Sequence, residues 1–420
     1  MKIAIVGAGI IGVTTAWELA CDGHEVVVFE RHGAAAEEGS FANAGVIAPG
    51  YVAPWAAPGM RRKLLASLLG CDGPIKLRWP LGASEFGWLL RWQRACALET
   101  YLANRSRLQR LAFYSKTRLH DITETRELGY DRSVGYMVLL RNARDLKLAQ
   151  PGLDVLRAAG TVFQQLDADA ARAIEPALNP DTPLAGAIHL PEDEVANCRQ
   201  FALMLKREAE TLGVRFQFGC NIAPLAPAAP TSLSLAAGSP AHAFDAVVVC
   251  AGVDAARLLK PLGLQIPLAP VYGHSVSAQI REPLNAPRSA VMDERYKVAI
   301  SRLGRRVRIA GSAELGGKPG VLSPAALKTL YKVLQDWYPG AVTLQGGVQQ
   351  WKGARPMLPD GPPVLGASGI PGVWLNLGHG SSGWALACGS ARVVADLIGG
   401  KDAGIDLEGL GIERLMLQGP

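Results

Sequence analysis

The apolar positions open with a short strand signal. Lys2–Val6 (KIAIV) is a run rich in β-branched residues, and it predicts a strand buried on both faces of a parallel sheet. A helical pattern follows over 13–22, Gly23 and His24 turn the chain, and Glu25–Phe29 (EVVVF) repeats the strand signal. From 60 to 125 the pattern is mostly helical, with apolar residues near the 3.6 period at 85–93 and 98–119. Strands are predicted at 134–140, 161–166 and 214–218, and an amphipathic helix at 200–211. The Pro-, Ala- and Ser-rich stretch 224–240 reads as a loose hairpin edge or a surface excursion rather than a linker between domains. DAVVVCAG at 245–252 is another buried strand ending in small residues. Strands at 273–280, 297–302 and 307–311 suggest an antiparallel sheet, with helices at 325–337 and 384–398.

The chain has 420 residues, which suits two or three domains. Its 47 glycines and 28 prolines show no collagen period, so they are expected to serve turns and close backbone approaches. The net charge of +6 is mild for this length and gives little reason to expect a nucleic-acid partner. Most of the excess lies between Met60 and Arg94, where seven basic residues meet only Asp72 and Glu85. Trp55, Trp79, Trp88 and Trp92 fall in or beside the same stretch. That mixture over 55–94 suits an anionic bilayer surface, or alternatively a helical lid over a substrate. The seven cysteines form no CxxC pair and the seven histidines no metal spacing, so neither a disulfide scaffold nor a metal site is expected. Glu18 interrupts the first apolar run, which argues against a signal peptide.

The strongest chemical signal is GAGIIG at 7–12, set between the first strand and its helix, with Glu30 ending the second strand. Gly7 permits the tight turn, Gly9 lets the backbone approach a pyrophosphate, and Gly12 lets helix and sheet pack closely. The free amides of the helix start attract phosphate, and Glu30 would accept from the ribose hydroxyls. A 2′-phosphate would be repelled there, which disfavours NADP. Only one such fingerprint is present, with two later glycine-rich constellations at 360–366 and 373–383. A single fingerprint with distant contacts suits an extended, permanently bound FAD better than NAD. The fold expected is α/β combined with α+β: a Rossmann-like FAD-binding domain interleaved with a substrate domain built on a mixed or antiparallel sheet. The division is 1–59, 185–266 and 345–420 for the cofactor domain, and 60–184 and 267–344 for the substrate or cap domain.

Five segments carry a family resemblance: GAGIIG at 7–12, ANAGVIAPGYVAPWAAPG at 42–59, MDERYKVAISR at 292–302, WKGARPMLPDGPPVLG at 351–366 and LNLGHGSSGWALACGSA at 375–391. Across nearly its whole length the chain resembles the flavin-carrying subunits of the bacterial D-amino-acid dehydrogenases. More broadly it is similar to the D-amino-acid oxidase, glycine oxidase and sarcosine oxidase superfamily. The resemblance implies that Gly7, Ala8, Gly9, Ile10, Ile11, Gly12, Glu30 and Arg31 hold the AMP half of FAD. Ser40, Asn43, Ala44, Gly45 and Val46 approach the flavin, and Ala251 and Gly252 the adenosine or ribityl side. Gly378, His379, Gly380, Ser381, Ser382 and Gly383 lie near the pyrimidine edge, and Gly353 joins the cofactor contacts. Arg355 matches the arginine that grips the substrate carboxylate. The implied partners are a free amino acid and a respiratory quinone or other electron acceptor. The implied location is peripheral, on the cytoplasmic side of the bacterial inner membrane, or otherwise the cytoplasm. The chain departs from the dehydrogenase pattern at Phe41, at Ser381-Ser382 and along 270–275, the last near the expected substrate roof.

Oxidising an amino acid needs few protein acids or bases, because the neutral amine pushes as the Cα hydrogen leaves as hydride. The protein must hold Cα in place, and one bidentate arginine, Arg355, can do most of this. Tyr51 and Tyr296 are candidates for a second carboxylate or amine contact, or ordinary core tyrosines. His274 is either a sensor of the amine or a polar strand residue. His379 is expected to shape flavin polarity rather than act as a base. No Cys or His compels covalent attachment, so non-covalent FAD is expected. The favoured activity is oxidation of D-amino acids to 2-oxo acids and ammonia. The alternatives are oxidation of cyclic, N-methyl or L-amino acids such as hydroxyproline, proline or sarcosine, and a non-catalytic flavin-binding assembly subunit.

Overall fold

A six-stranded sheet and a ten-stranded sheet organise the chain. The computed structural model describes residues 1–60, 64, 76–78, 80–235 and 241–416. In the six-stranded sheet Lys2–Val6 lies between Glu25–Phe29 and Ala246–Val249, all parallel. Arg215–Gln217 extends one edge in parallel, and Val373–Leu377 continues the other, where Val364–Ala367 closes it antiparallel. The pleat alternates side chains between two cores. Ile3 and Ile5 pack with the helices Ile10–Cys21, Cys198–Thr211 and Gly383–Ile398, while Ala4 and Val6 pack with Ile222, Leu258 and Leu259. Burial on both faces is why these strands read as continuous apolar runs.

The first helix starts at Ile10 rather than Val13, because the glycine turn itself becomes its first turn. Glu18 of this helix is fully buried. Arg118 donates to both its carboxylate oxygens at 2.7 and 2.9 Å, and Arg392 donates to one at 2.7 Å. Arg118 stands on Leu98–Thr125 and Arg392 on Gly383–Ile398, so one carboxylate ties three helices together.

The larger sheet runs Gln349–Met357, Ala269–Gln279, Arg306–Leu315, Val298–Leu303, Ala290–Asp293, Arg132–Leu140, Gly186–Ala196 and Val46–Ile47. Its pairings are antiparallel except where Ala290–Asp293 meets Arg132–Leu140 and where Lys76–Leu77 meets Arg306–Leu315. Pro324–Trp337 covers one face through Leu330, Val333, Leu334 and Trp337, and Ala143–Ala158 covers part of the other through Leu153 and Leu156. Three strands of this sheet, Val46–Ile47, Gly186–Ala196 and Gln349–Met357, fall in segments that the sequence division assigns to the cofactor domain. Strand pairing draws them in: 186–196 pairs with 132–140, 164–166 and 46–47, and 349–357 pairs with 269–279.

The expected hairpin near 224–240 is present as Ser232–Leu233 against His242–Ala243, with 236–240 outside the described residues. Of the basic, tryptophan-bearing stretch, Arg61, Arg62, Lys63, Asp72 and Trp79 lie outside them too. Trp88 and Trp92 on Ala83–Ala95 do not face solvent. They are buried and stacked on each other at 6.4 Å, and Trp88 donates to the Met357 carbonyl at 2.9 Å. Their large apolar area is more favourably spent in packing than at the surface.

Candidate active site

Between the sheets lies a cavity of about 970 Å³. That is at the upper end for a small-molecule site. Gly7 and Gly9 reach it from the first strand–helix turn, where Gly7 has φ +105° and an added Cβ would stand 2.6 Å from the Cys250 carbonyl. No side chain caps the helix at Gly9. The Ile10 amide donates to Ser40 Oγ at 3.0 Å, which pins the next lining loop to the helix start. Ile11, Glu30, Arg31, Ser40, Asn43, Ala44, Gly45 and Val46 line the same side. Glu30 Oε2 accepts from the Ala8 amide at 2.8 Å and Oε1 from the His32 amide at 2.9 Å, so the carboxylate is oriented with lone pairs to spare.

Further along, Ala251, Gly252, Gly378, His379, Gly380, Ser381, Ser382 and Gly383 complete the wall. No side chain caps the helix that begins at Gly383. His379 Nε2 lies 3.0 Å from Ser390 Oγ, and burial pushes its pKa down to about 3, so the ring is neutral. A long trough with two uncapped helix starts, glycines at the closest approaches and an oriented carboxylate at one end fits a dinucleotide cofactor. Ala8 and Gly12 stand just behind the wall. A Cβ on Gly12 would fall 1.8 Å from the Gly7 carbonyl, so this glycine serves the turn rather than the ligand.

The opposite end is roofed by the larger sheet. Arg355 stands on Gln349–Met357, opposite Val271 in register, and lines the cavity with Gly353, Gly273 and His274. Its Nη1 donates to the Ser312 carbonyl at 3.0 Å, and among the described residues it has no carboxylate partner. Burial without an anion draws its pKa down to about 10, which still leaves it a cation at neutral pH. Tyr51 also lines this end and donates to Glu294 Oε2 at 2.6 Å. Burial and then the neighbouring carboxylate hold the phenol well above its ordinary pKa.

Tyr296 is not brought to this site. Its ring packs beside the guanidinium of Arg141 at 5.1 Å and Lys332 at 5.1 Å, on the core under Pro324–Trp337. The turn after Asp293, with Lys297 at φ +52°, sends the Tyr296 ring away while leaving Glu294 in the cavity wall. Sequence reasoning passed over Glu294, Gly273 and Ser312. Glu294 shares the DERYK segment with Tyr296, and a glycine inside a predicted strand marks a close approach. Nothing in the sequence distinguishes Ser312.

Residues 2–397 match the family model described as FAD dependent oxidoreductase. A D-amino acid dehydrogenase of Cereibacter sphaeroides is 43% identical over 100% of this chain and 96% of its own length. One from Rhizorhabdus wittichii is 41% identical over 99% of this chain and 100% of its own. Among solved structures, glycine oxidase from Geobacillus kaustophilus superposes with TM-score 0.75 at 21% identity, covering 98% of both chains. L-proline dehydrogenase from P. horikoshii gives 0.72 at 17% identity, covering 99% of this chain and 98% of its own. These two share the fold.

Proposed function

As this chain belongs to the FAD dependent oxidoreductase family, we propose that it oxidises free D-amino acids to 2-oxo acids and ammonia, with Arg355 as the carboxylate clamp. The observation that carries this reading is the guanidinium of Arg355, cationic, without a carboxylate partner among the described residues, and set in the cavity wall. Such a group is waiting for a carboxylate, and a planar fork fixes a carboxylate in orientation as well as position. The D configuration rests on the relatives at 41% and 43% identity.

Non-covalent FAD would sit in the trough, with the Gly9 helix start holding its phosphates and Glu30 accepting from its adenosine ribose. The chemistry supplied by the bound cofactor is acceptance of a hydride at flavin N5. The protein's own work is placement. Arg355 holds the substrate carboxylate, which fixes where Cα can sit. Glu294, whose Oε2 accepts from Tyr51 and whose Oε1 pairs with Lys297, is the wall carboxylate that would face the substrate ammonium group. The apolar side chains of Met292, Tyr136 and Ala313 in the same wall exclude water from that end.

Electrons then pass to a quinone or another acceptor that is not oxygen, at the cytoplasmic face of the bacterial inner membrane. Exposed apolar residues support a peripheral contact. Phe86 and Leu90 share one helical face, and Leu98 and Leu102 another, with Arg91 and Arg94 beside them. Among the described residues no helix is long and apolar enough to cross a membrane.

The test is anaerobic bleaching of the bound flavin by paired D- and L-amino acids. Reduction by D-alanine and not L-alanine is expected, and no bleaching by any amino acid would refute the activity. Equal sedimentation with and without anionic vesicles would refute the membrane contact.

A further inference from the structure

Arg355 owes its position to an unusual piece of backbone. Between Tyr272 and His274 the register of 269–279 against 306–315 shifts, leaving Gly273 opposite two residues, Ser312 and Ala313. In such a bulge the left-handed position is ordinarily glycine. Here it is Ser312, at φ +63°. A side chain tolerates that conformation only where its surroundings fix it.

The surroundings do so through the hydroxyl. His274 Nδ1 lies 2.9 Å from Ser312 Oγ, and the Ser323 amide donates to His274 Nε2 at 3.1 Å. An amide can only donate, so Nε2 is the acceptor and the neutral ring carries its proton on Nδ1. That proton goes to Ser312 Oγ. The ring is 1% exposed, so neither bond exchanges freely with water. The carbonyl of the same Ser312 then accepts from Arg355 Nη1 at 3.0 Å. This is the guanidinium's one hydrogen bond to protein among the described residues.

We propose that His274 and Ser312 are positioning residues for Arg355: the His274–Ser312 hydrogen bond latches the left-handed bulge, and the bulge presents the carbonyl that aims the guanidinium at the substrate carboxylate. The inference rests on Arg355 being the carboxylate clamp. It assigns His274 no proton transfer, since both ring nitrogens are engaged by protein. It also gives a reason for serine where glycine would be less strained: glycine would satisfy φ but lose the latch.

Ser312→Gly and Ser312→Ala test this in the FAD-loaded enzyme, with His274→Ala as the third variant. The probe is propionate, which has the carboxylate but no amine, titrated against the bound-flavin absorbance. All three variants are expected to weaken propionate and to raise KM for D-alanine by about tenfold or more, while kcat falls by less than about threefold. Flavin content and Tm of Ser312→Gly are expected to match wild type, which separates mis-aiming from misfolding. Combining His274→Ala with Ser312→Gly is expected to add little, and neither should add to the loss in Arg355→Lys. Wild-type propionate affinity in Ser312→Gly, or full additivity with Arg355→Lys, would overturn the proposal. A wild-type enzyme that ignores propionate would overturn it together with the clamp. Failure of D-alanine to reduce a flavin that does respond to propionate would instead strike the substrate assignment.

Discussion

The guanidinium of Arg355 lies flat against Gly273: a Cβ built on that glycine would come 2.3 Å from Nη2 and 2.6 Å from Cζ. The two residues stand on neighbouring strands, Gly273 paired with Gly353 and Arg355 two positions further on. The absence of a side chain on one strand is therefore what makes room for the cation on the next. Gly273 has no positive φ, so alanine there is unstrained and its effect is purely steric. Gly273→Ala is expected to raise KM for D-alanine by about tenfold to a hundredfold with flavin content unchanged, as read by steady-state kinetics on the purified holoenzyme. An unchanged KM would mean that the guanidinium works elsewhere.

Arg355→Lys keeps the charge and loses the fork. A single ammonium cannot hold both carboxylate oxygens in a plane. The expected loss in kcat/KM is about 3 kcal/mol, roughly a hundredfold, carried mainly by KM. Equal kinetics with wild type would remove Arg355 from the site.

Glu30→Ala is expected to release flavin without disturbing the roof. The carboxylate orients two backbone amides and faces the trough. Its loss should raise the FAD dissociation constant by about tenfold or more, measured by apoprotein titration, while the Tm at saturating FAD stays near that of wild type. Full retention of FAD through dialysis would show that this end of the trough contributes little.

Asp193, beneath the Tyr51 and Tyr136 end of the wall, gives a pH prediction. It is buried, one carboxylate oxygen has no partner, and burial pushes its pKa up to about 7. A raised folded-state pKa means that the folded protein binds the proton more tightly than the unfolded chain. The resulting stabilisation is complete below about pH 4, the unfolded pKa. It is lost as pH rises and is gone above about pH 7. Asp193→Asn removes that slope. Its stability relative to wild type should improve between pH 4 and 7 by at most about 4 kcal/mol, then level off. Parallel denaturation curves across that range would exclude ionisation of Asp193 as the cause.

Glu18→Ala leaves Arg118 without its bidentate acceptor and Arg392 with only Asp22 and Asp396. Removing one partner from a buried ionic cluster is expected to destabilise by about 3–5 kcal/mol. The measurement is equilibrium unfolding of the holoenzyme at fixed FAD. A change below about 1 kcal/mol would mean that water replaces the carboxylate.

Much of the cofactor half was legible in the chain itself. A strand, a glycine turn, a helix and a second strand ending in Glu30 are contiguous, and each is dictated by local sterics: φ +105° at Gly7, no room for a Cβ at Gly12, β-branched runs on both sides. The later glycine segments were legible for the same reason, as turns that bring backbone against a large ligand. The helices around Glu18 were legible as helices, although the sequence showed this residue only as an interruption of an apolar run.

The substrate half was decided by pairing between distant strands. Tyr51 and Tyr296 look equivalent in the sequence, yet one reaches the cavity with Glu294 and the other packs beside Arg141. Trp88 and Trp92 sit in a basic stretch and still turn inward, because helix rotation and not composition chooses the face. A bulge exists only when two strands are laid in register, so neither the left-handed Ser312 nor its bond to His274 has a sequence signature. By itself the sequence determined the fold class, the cofactor turn and Arg355 as the cation to watch. Only the tertiary structure decided what aims that cation, since the Gly273 face, the Ser312 carbonyl and the His274 ring come from two other strands.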